Sequence, residues 1–312
     1  MSSQDSRMFA CPKCKRAFGD DSYECAPCAL IYPSVKGVPV LLNESNSLFS
    51  IESYLLPETS YGGASDYGGH LDTSGGPQRL YRRFVTYLSE APLPVREFTP
   101  QAAVDEILKQ RPNARILAIG AGDAQFSGNV TYTDVALGRH VSCIADAHDL
   151  PFASESFDAC IAVAVLEHVL DPYRCVQEIT RVLKADGLVY AETPFMQPVH
   201  MGAYDFTRFT RLGHRRLFRY FEEIRSGVVG GAGVSAAQML RYTLAAMSDR
   251  PGIRKWLKLV GLIATFPLRW LDYLSHGHQA AYDCASAFYF FGRRSDEPLS
   301  DQDLIRSFRG GG

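Results

Sequence analysis

The chain is expected to fold as a doubly wound α/β domain, a parallel sheet with helices on both faces, preceded by a small metal-binding ribbon. Three observations lead there: short apolar runs alternating with helically spaced stretches over residues 111–234, a glycine turn at Gly120-Ala121-Gly122, and paired Cys-x-x-Cys motifs. Strands covered on both faces read as continuous apolar runs, and their parallel pairing needs crossovers. The 312 residues exceed one ordinary domain, so additions to the core are expected. A composition 46% hydrophobic and 21% charged excludes wholesale disorder. A formal charge of -2 excludes whole-chain attraction to nucleic acid.

In chain order, Cys11, Cys14, Cys25 and Cys28 come first. Each motif turns two thiols to one side, and two such turns supply a tetrahedral shell with Zn–S bonds of about 2.3 Å. So short a segment cannot bury enough surface alone, so a metal would supply its stability. Two disulfides or free thiols are the alternatives, and the opening Met-Ser-Ser-Gln lacks the apolar core of an export signal. A cytoplasmic, reducing location is therefore expected. Residues 31–42 read as two short strands around Gly37. This segment resembles the zinc ribbons related to the activator subunit of tRNA methyltransferases. Five basic and five acidic residues over residues 1–45 fit a protein-docking or core-stabilising role better than a grip on RNA.

Residues 60–77 hold six glycines and read as a linker or a substrate-covering lid. Leu80, Phe84, Tyr87 and Leu88, then Val104, Ile107 and Leu108, have helical spacing. Strands are expected at residues 115–119, 130–133, 141–145, 159–163 and 187–192, and helices at 172–183 and 211–221. A last run, 285–291, reads as a final edge strand displaced by an insertion. The chain thus divides into a ribbon (1–45), linker or lid with N-terminal helices (46–110), cofactor-binding core (111–234), helical insertion (235–280), final strand (281–295) and tail (296–312).

Gly120 and Gly122 let the backbone turn sharply against a ligand. Asp134 ends the second strand, where a carboxylate can accept ribose hydroxyls, and Asp146-Ala147 ends the third, where an adenine edge would sit. Val165, Leu166, Glu167 and His168 close the fourth. This ordered series, over roughly residues 111–225, resembles class I S-adenosylmethionine-dependent methyltransferases with a Rossmann-like sheet. It is most similar to bacterial members with an N-terminal zinc ribbon, of the glycan and natural-product type. The resemblance implies that Gly120, Ala121 and Gly122 line the methionine end, that Asp134 holds the ribose, that Asp146 and Ala147 hold the adenine, and that Val165 and Leu166 pack beneath. Ala118 stands where an acidic residue is usual, with Asp123 as a compensating candidate, and the interval from Gly122 to Asp134 is short for a crossover helix.

The segment 193–210 is dense in His, Asp, Arg and aromatic residues at the edge where such sheets bind substrates. His200 is the first candidate for general base, Asp205 for its orienter or for a hydroxyl acceptor, and His168 a further candidate base or a capping or packing residue. Arg208 is a candidate for an anionic acceptor, or a partner that pins the loop through Asp205. Six arginines against two glutamates over 206–225 fit an anionic substrate. Over residues 250–270 stand five basic residues and no acidic ones, with positions 254, 258, 261 and 265 as a narrow polar stripe. Such a segment suits a membrane interface, at the inner face, or packing on the sheet or on a dimer partner.

The expected function is methyl transfer from S-adenosylmethionine to an oxygen of a sugar, lipid-linked or other small acceptor, with a structural zinc. A protein partner at the ribbon and peripheral membrane contact through 250–274 accompany it, and no nucleic acid is expected. RNA base methylation and a non-catalytic scaffold are the alternatives.

Overall fold

The computed structural model describes residues 8–19, 22–56 and 95–311. The glycine-rich stretch read as linker or lid, and Leu80, Phe84, Tyr87 and Leu88, lie outside the described residues.

The ribbon contains two antiparallel pairs, β1 (Glu24–Cys25) with β2 (Leu30–Ile31), and β3 (Ser34–Val35) with β4 (Val38–Leu41). Gly37, at φ +81°, makes the second turn. A short helix, α1 (Ile51–Leu55), follows. Helix α2 (Pro100–Gln110) starts at Thr99, whose hydroxyl accepts the Ala102 N–H at 3.1 Å, and Pro100 fits the first turn, where its missing N–H costs nothing. The core strands are β5 (Arg115–Ile119), β6 (Asn129–Asp134), β7 (Cys143–Ala145), β8 (Phe157–Val163) and β9 (Leu183–Pro194). Helix α3 (Pro172–Val182) joins β8 to β9 and is capped by Asp171 on the Arg174 N–H at 3.0 Å. Beyond β9 come α4 (Arg211–Leu217), β10 (Phe221–Val229), α5 (Ala232–Ala245), α6 (Pro251–Thr265), α7 (Asp272–Ser275), β11 (Ala287–Arg294) and α8 (Asp301–Arg306).

A Rossmann-like mixed sheet of nine strands runs β10-β11-β9-β8-β5-β6-β7-β4-β3. The expectation of an all-parallel sheet is corrected at both ends: β3 is antiparallel to β4, and β11 is antiparallel to both β9 and β10. It is therefore an interior strand, and β10 forms the edge. Every residue from Ala287 to Gly292 is buried, as a strand with neighbours on both sides requires. The expected helix 211–221 ends at Leu217, and Phe221 already begins β10. At the other end β4 pairs in parallel with β7 through Val40–Ile144 and Leu41–Ala145, so the ribbon hairpin extends the central sheet.

Alternate residues pack on opposite faces. Ile116, Ala159, Ile161, Leu188 and Tyr190 meet α2, with Phe98 and Ile107. On the other face Leu117, Cys160, Val189 and Ala191 meet α3 and, through the same core, Phe9, Cys11 and Tyr32 of the ribbon. No helix connects β5 to β6, in keeping with the short interval.

The insertion is a helical pair. Asp272, 1% exposed, caps α5 from a distant part of the chain, accepting the N–H groups of Gly231 at 2.8 Å and Gly233 at 2.7 Å. Helix α6 turns Gly261 and Thr265 of its polar stripe inward, Thr265 Oγ1 donating to Ala237 O at 3.1 Å. Its apolar Trp256, Val260 and Ile263 are exposed. Among the described residues no helix is long and apolar enough to cross a membrane.

Candidate active site

A cleft opens at the carboxyl ends of β5 to β8. Its walls include Gly120, Asp134, Asp146, Ala147, Val165 and His168, bringing together six of the residues selected from sequence. Gly120 has φ +59°, and a Cβ there would lie 2.5 Å from Val165 Cγ2, so the turn demands glycine twice over. Gly122, at φ +51°, donates its N–H to Asp134 Oδ2 at 2.9 Å. Asp134 Oδ1 accepts the Ala136 N–H at 2.9 Å. Burial raises the Asp134 carboxyl, and these backbone donors only partly offset it. Ala121, Gly122 and Asp123 form the turn but do not line the cleft. Asp123 is exposed, and Ala118 is buried within β5.

Asp146 is tied on both oxygens. Ser47 Oγ donates to Oδ2 at 2.7 Å, while the His148 backbone N–H and ring Nδ1 reach Oδ1 at 3.0 and 2.6 Å. The Asp171 N–H donates to His148 Nε2 at 3.0 Å, so the proton of this ring sits on Nδ1. Burial works against the Asp146 carboxylate, yet these donors hold it below its usual range.

Leu48 and Phe49 also line the cleft. They stand just beyond the ribbon in a stretch of linker-like composition, which gave no signal of such a role. Phe49 stacks on Tyr204 with centroids 5.8 Å apart and planes at 13°. The Tyr54 hydroxyl anchors the same segment on Val135 O at 2.6 Å.

At the acceptor end stand Glu167, His168, His200 and Asp205. Glu167 was legible only as the neighbour of His168, yet it is fully buried, and neither carboxylate oxygen has a hydrogen-bond partner. Burial pushes its carboxyl up to about 8. His168 donates from Nδ1 to Tyr204 O at 2.7 Å, and burial lowers its pKa. His200 donates its backbone N–H to Asp205 Oδ2 at 2.8 Å. Its Nδ1 lies 3.4 Å from that same oxygen, from Pro198 O and from Arg208 Nη2. Burial would raise the Asp205 carboxyl, but Arg208 and the His200 N–H hold it far below the ordinary range.

Arg208 grips both oxygens of Asp205 and donates to Gln197 O at 3.1 Å and Pro198 O at 3.0 Å. It pins the loop and has no fork left for an anionic acceptor. Arg211 and Arg215 likewise face Glu223 at 3.7 and 3.3 Å. The excess of arginines over 206–225 is thus largely engaged within the fold.

The four ribbon cysteines form a second centre. Their Sγ atoms all lie within 4.8 Å of one another, with Cys11–Cys28 at 3.9 Å and Cys14–Cys25 at 3.4 Å. A tetrahedral shell with bonds of about 2.3 Å sets its sulfurs about 3.8 Å apart. Each motif is followed by a residue in the left-handed region, Lys15 at φ +63° and Ala29 at φ +51°, so the two turns repeat one geometry. All four thiols are free of disulfides.

Residues 117–191 match the family model described as a methyltransferase domain. The chain is similar to a demethylmenaquinone methyltransferase of Clavibacter sepedonicus, 31% identical over 122 residues, covering 38% of this chain and 44% of that protein. It is also similar to an uncharacterized methyltransferase of Mycobacterium sp. (strain JLS), 33% identical over 132 residues, or 42% of this chain and 48% of that one. The chain thus spans under half the length of these curated relatives. Among solved structures, one similar chain is the 1,6-didemethyltoxoflavin-N1-methyltransferase of Burkholderia thailandensis, with 14% identity, 73% and 99% coverage and a TM-score of 0.38. The matched segment runs from β5 to β9, so this part of the core is similar to a methyltransferase domain.

Proposed function

We propose that the protein transfers a methyl group from S-adenosylmethionine to an oxygen of a sugar, lipid-linked or other small acceptor, and that a structural zinc holds its ribbon. The convergence of Gly120, Asp134, Asp146 and Val165 on one cleft, with His168 at its acceptor end, carries this reading. When bound, the cofactor supplies a methyl carbon on a cationic sulfur. The chain's part is to seat the nucleoside between Asp134 and Asp146, to close Leu48 and Phe49 over it, and to receive the acceptor's proton. We assign that last task to His200 Nε2, and the Asp205 carboxylate behind the ring supports the assignment. The ribbon sulfurs have the spacing of a tetrahedral thiolate shell, which supports a structural role for zinc. Calorimetric titration with S-adenosylhomocysteine tests the cofactor reading. Binding that weakens tenfold or more in Asp146→Ala is expected, and no binding at millimolar ligand would overturn it.

The acceptor's source is tied to the insertion. Trp256, Val260, Ile263, Trp270, Leu271 and Leu274 are exposed beside Arg250, Arg254 and Lys255. An outward apolar face rimmed by cations is the pattern of an interfacial helix and supports contact with an anionic membrane surface. Co-sedimentation with vesicles containing phosphatidylglycerol, lost in Trp256→Ala/Trp270→Ala, is expected; equal binding by the variant would refute it.

A further inference from the structure

One ligand-capable atom from each of Glu167, His168 and His200 lies within 4.8 Å of the other two. Glu167 is fully buried, and no donor reaches either oxygen, an arrangement that folded proteins rarely tolerate. The Nε2 atoms of His168 and His200 both face its Oε1, at 3.6 and 4.0 Å. Those separations are too long for hydrogen bonds, but two metal–ligand bonds of about 2.1 Å bridge up to about 4.2 Å. Each ring is oriented from behind, His168 by Tyr204 O and His200 by the Asp205 carboxylate and Pro198 O. Such backing on Nδ1 is how proteins aim a ligating Nε2. The rings meet edge-on at 4.9 Å.

We propose that Glu167, His168 and His200 bind a divalent first-row transition-metal cation through one carboxylate and two imidazoles. A set of three leaves coordination positions open. Because His168 also lines the cofactor cleft, an acceptor hydroxyl on the ion would stand beside the methyl donor; this clause rests on the function proposed above. With the ion in place His200 Nε2 is a ligand. An acceptor hydroxyl on the cation has a lowered pKa and gives its proton to solvent water rather than to the imidazole, and the oxygen then takes the methyl carbon as that carbon's bond to the cofactor's sulfur breaks; this step too rests on the function proposed above.

Manganese(II) is the probe, because it favours oxygen and nitrogen donors and is disfavoured by a four-thiolate shell. Titration of the full, zinc-supplemented chain, followed by the electron paramagnetic resonance of free Mn2+, is expected to saturate at one ion per chain. Glu167→Gln and His200→Ala should each weaken binding tenfold or more. His200 lies on a part-exposed loop, so His200→Ala keeps the test open even where Glu167→Gln disturbs folding. No saturable binding by the native chain, or unchanged binding by His200→Ala, overturns the proposal. S-adenosylhomocysteine binding, measured on the same samples, separates this result from that of the cofactor reading.

Discussion

Phe49 is the residue whose removal most directly tests how the cofactor enters. The cavity left beside Gly120 and Asp146 is about 40 Å3, whereas pockets for ligands of this size run to about 300–1,000 Å3. Leu48 and Phe49 must swing aside before an S-adenosyl group fits. Phe49 is 8% exposed and stacked on Tyr204. Exposing such a ring costs about 2 kcal/mol in burial and about 1 kcal/mol in the stacked pair. Phe49→Ala removes most of that opening cost. At about 1.4 kcal/mol per decade, the open fraction should rise by roughly 100-fold, and association with S-adenosylhomocysteine should quicken by one to two decades. Truncation also strips apolar wall from the bound state, so dissociation quickens too, and the association rate is the discriminating quantity. Surface plasmon resonance on the immobilised chain reads it, with Phe49→Leu expected in between. Unchanged or slower association in both variants, each still melting cooperatively, would refute the entry route.

Chelation of the ribbon metal is expected to release β4 and the Asn43–Ser47 contacts, lowering both the melting temperature and S-adenosylhomocysteine affinity; metal analysis should count one zinc per chain, lost in Cys14→Ser. Asp272→Ala strands two buried N–H groups at the start of α5, and a loss of about 2 kcal/mol in urea unfolding is expected. Burial disfavours the carboxylates of Asp149 and Glu178, but hydrogen bonds led by Asn46 for Asp149 and Arg181 for Glu178, with Lys15 on both, hold their folded pKa values below the unfolded ones. The stability they add is present above about pH 4 and lost as pH falls below it. Lys15→Met should flatten the fall in urea stability between about pH 5 and 3, and equal slopes would discount the anchor.

Much of the core was legible because its signals are local. Asp171-Pro172 announces α3, the apolar run before Gly120 announces β5, and the cysteine spacing brings four sulfurs together. The misreadings involve relations across the chain. Strand β10 buries Phe221, Gly227 and Val229 but sets Glu222, Glu223 and Arg225 between the first two, so no continuous apolar run announces it before β11 pairs with it. The insertion between these strands hid that pairing. Glu167 became conspicuous only when the 200–208 loop closed over it, since Phe206 and Thr207 donate to its backbone carbonyl and bring His200 alongside.

The ribbon shows how a neutral, separate-looking segment can serve the cleft. Phe9 packs on Phe152 with centroids at 5.6 Å, and Lys15 reaches Glu178 at 2.8 Å, so the cysteine unit rests on its own chain's core. Its last strand then enters the sheet beside β7, whose end carries Asp146. Directly after that strand Asn43 and Asn46 hold Asp149 at 3.0 and 2.8 Å, Ser47 holds Asp146, and Leu48 and Phe49 form the cleft wall. On the proposal of a structural zinc, the metal that fixes the four cysteines would also fix the register of β4, and with it the segment that walls the cleft.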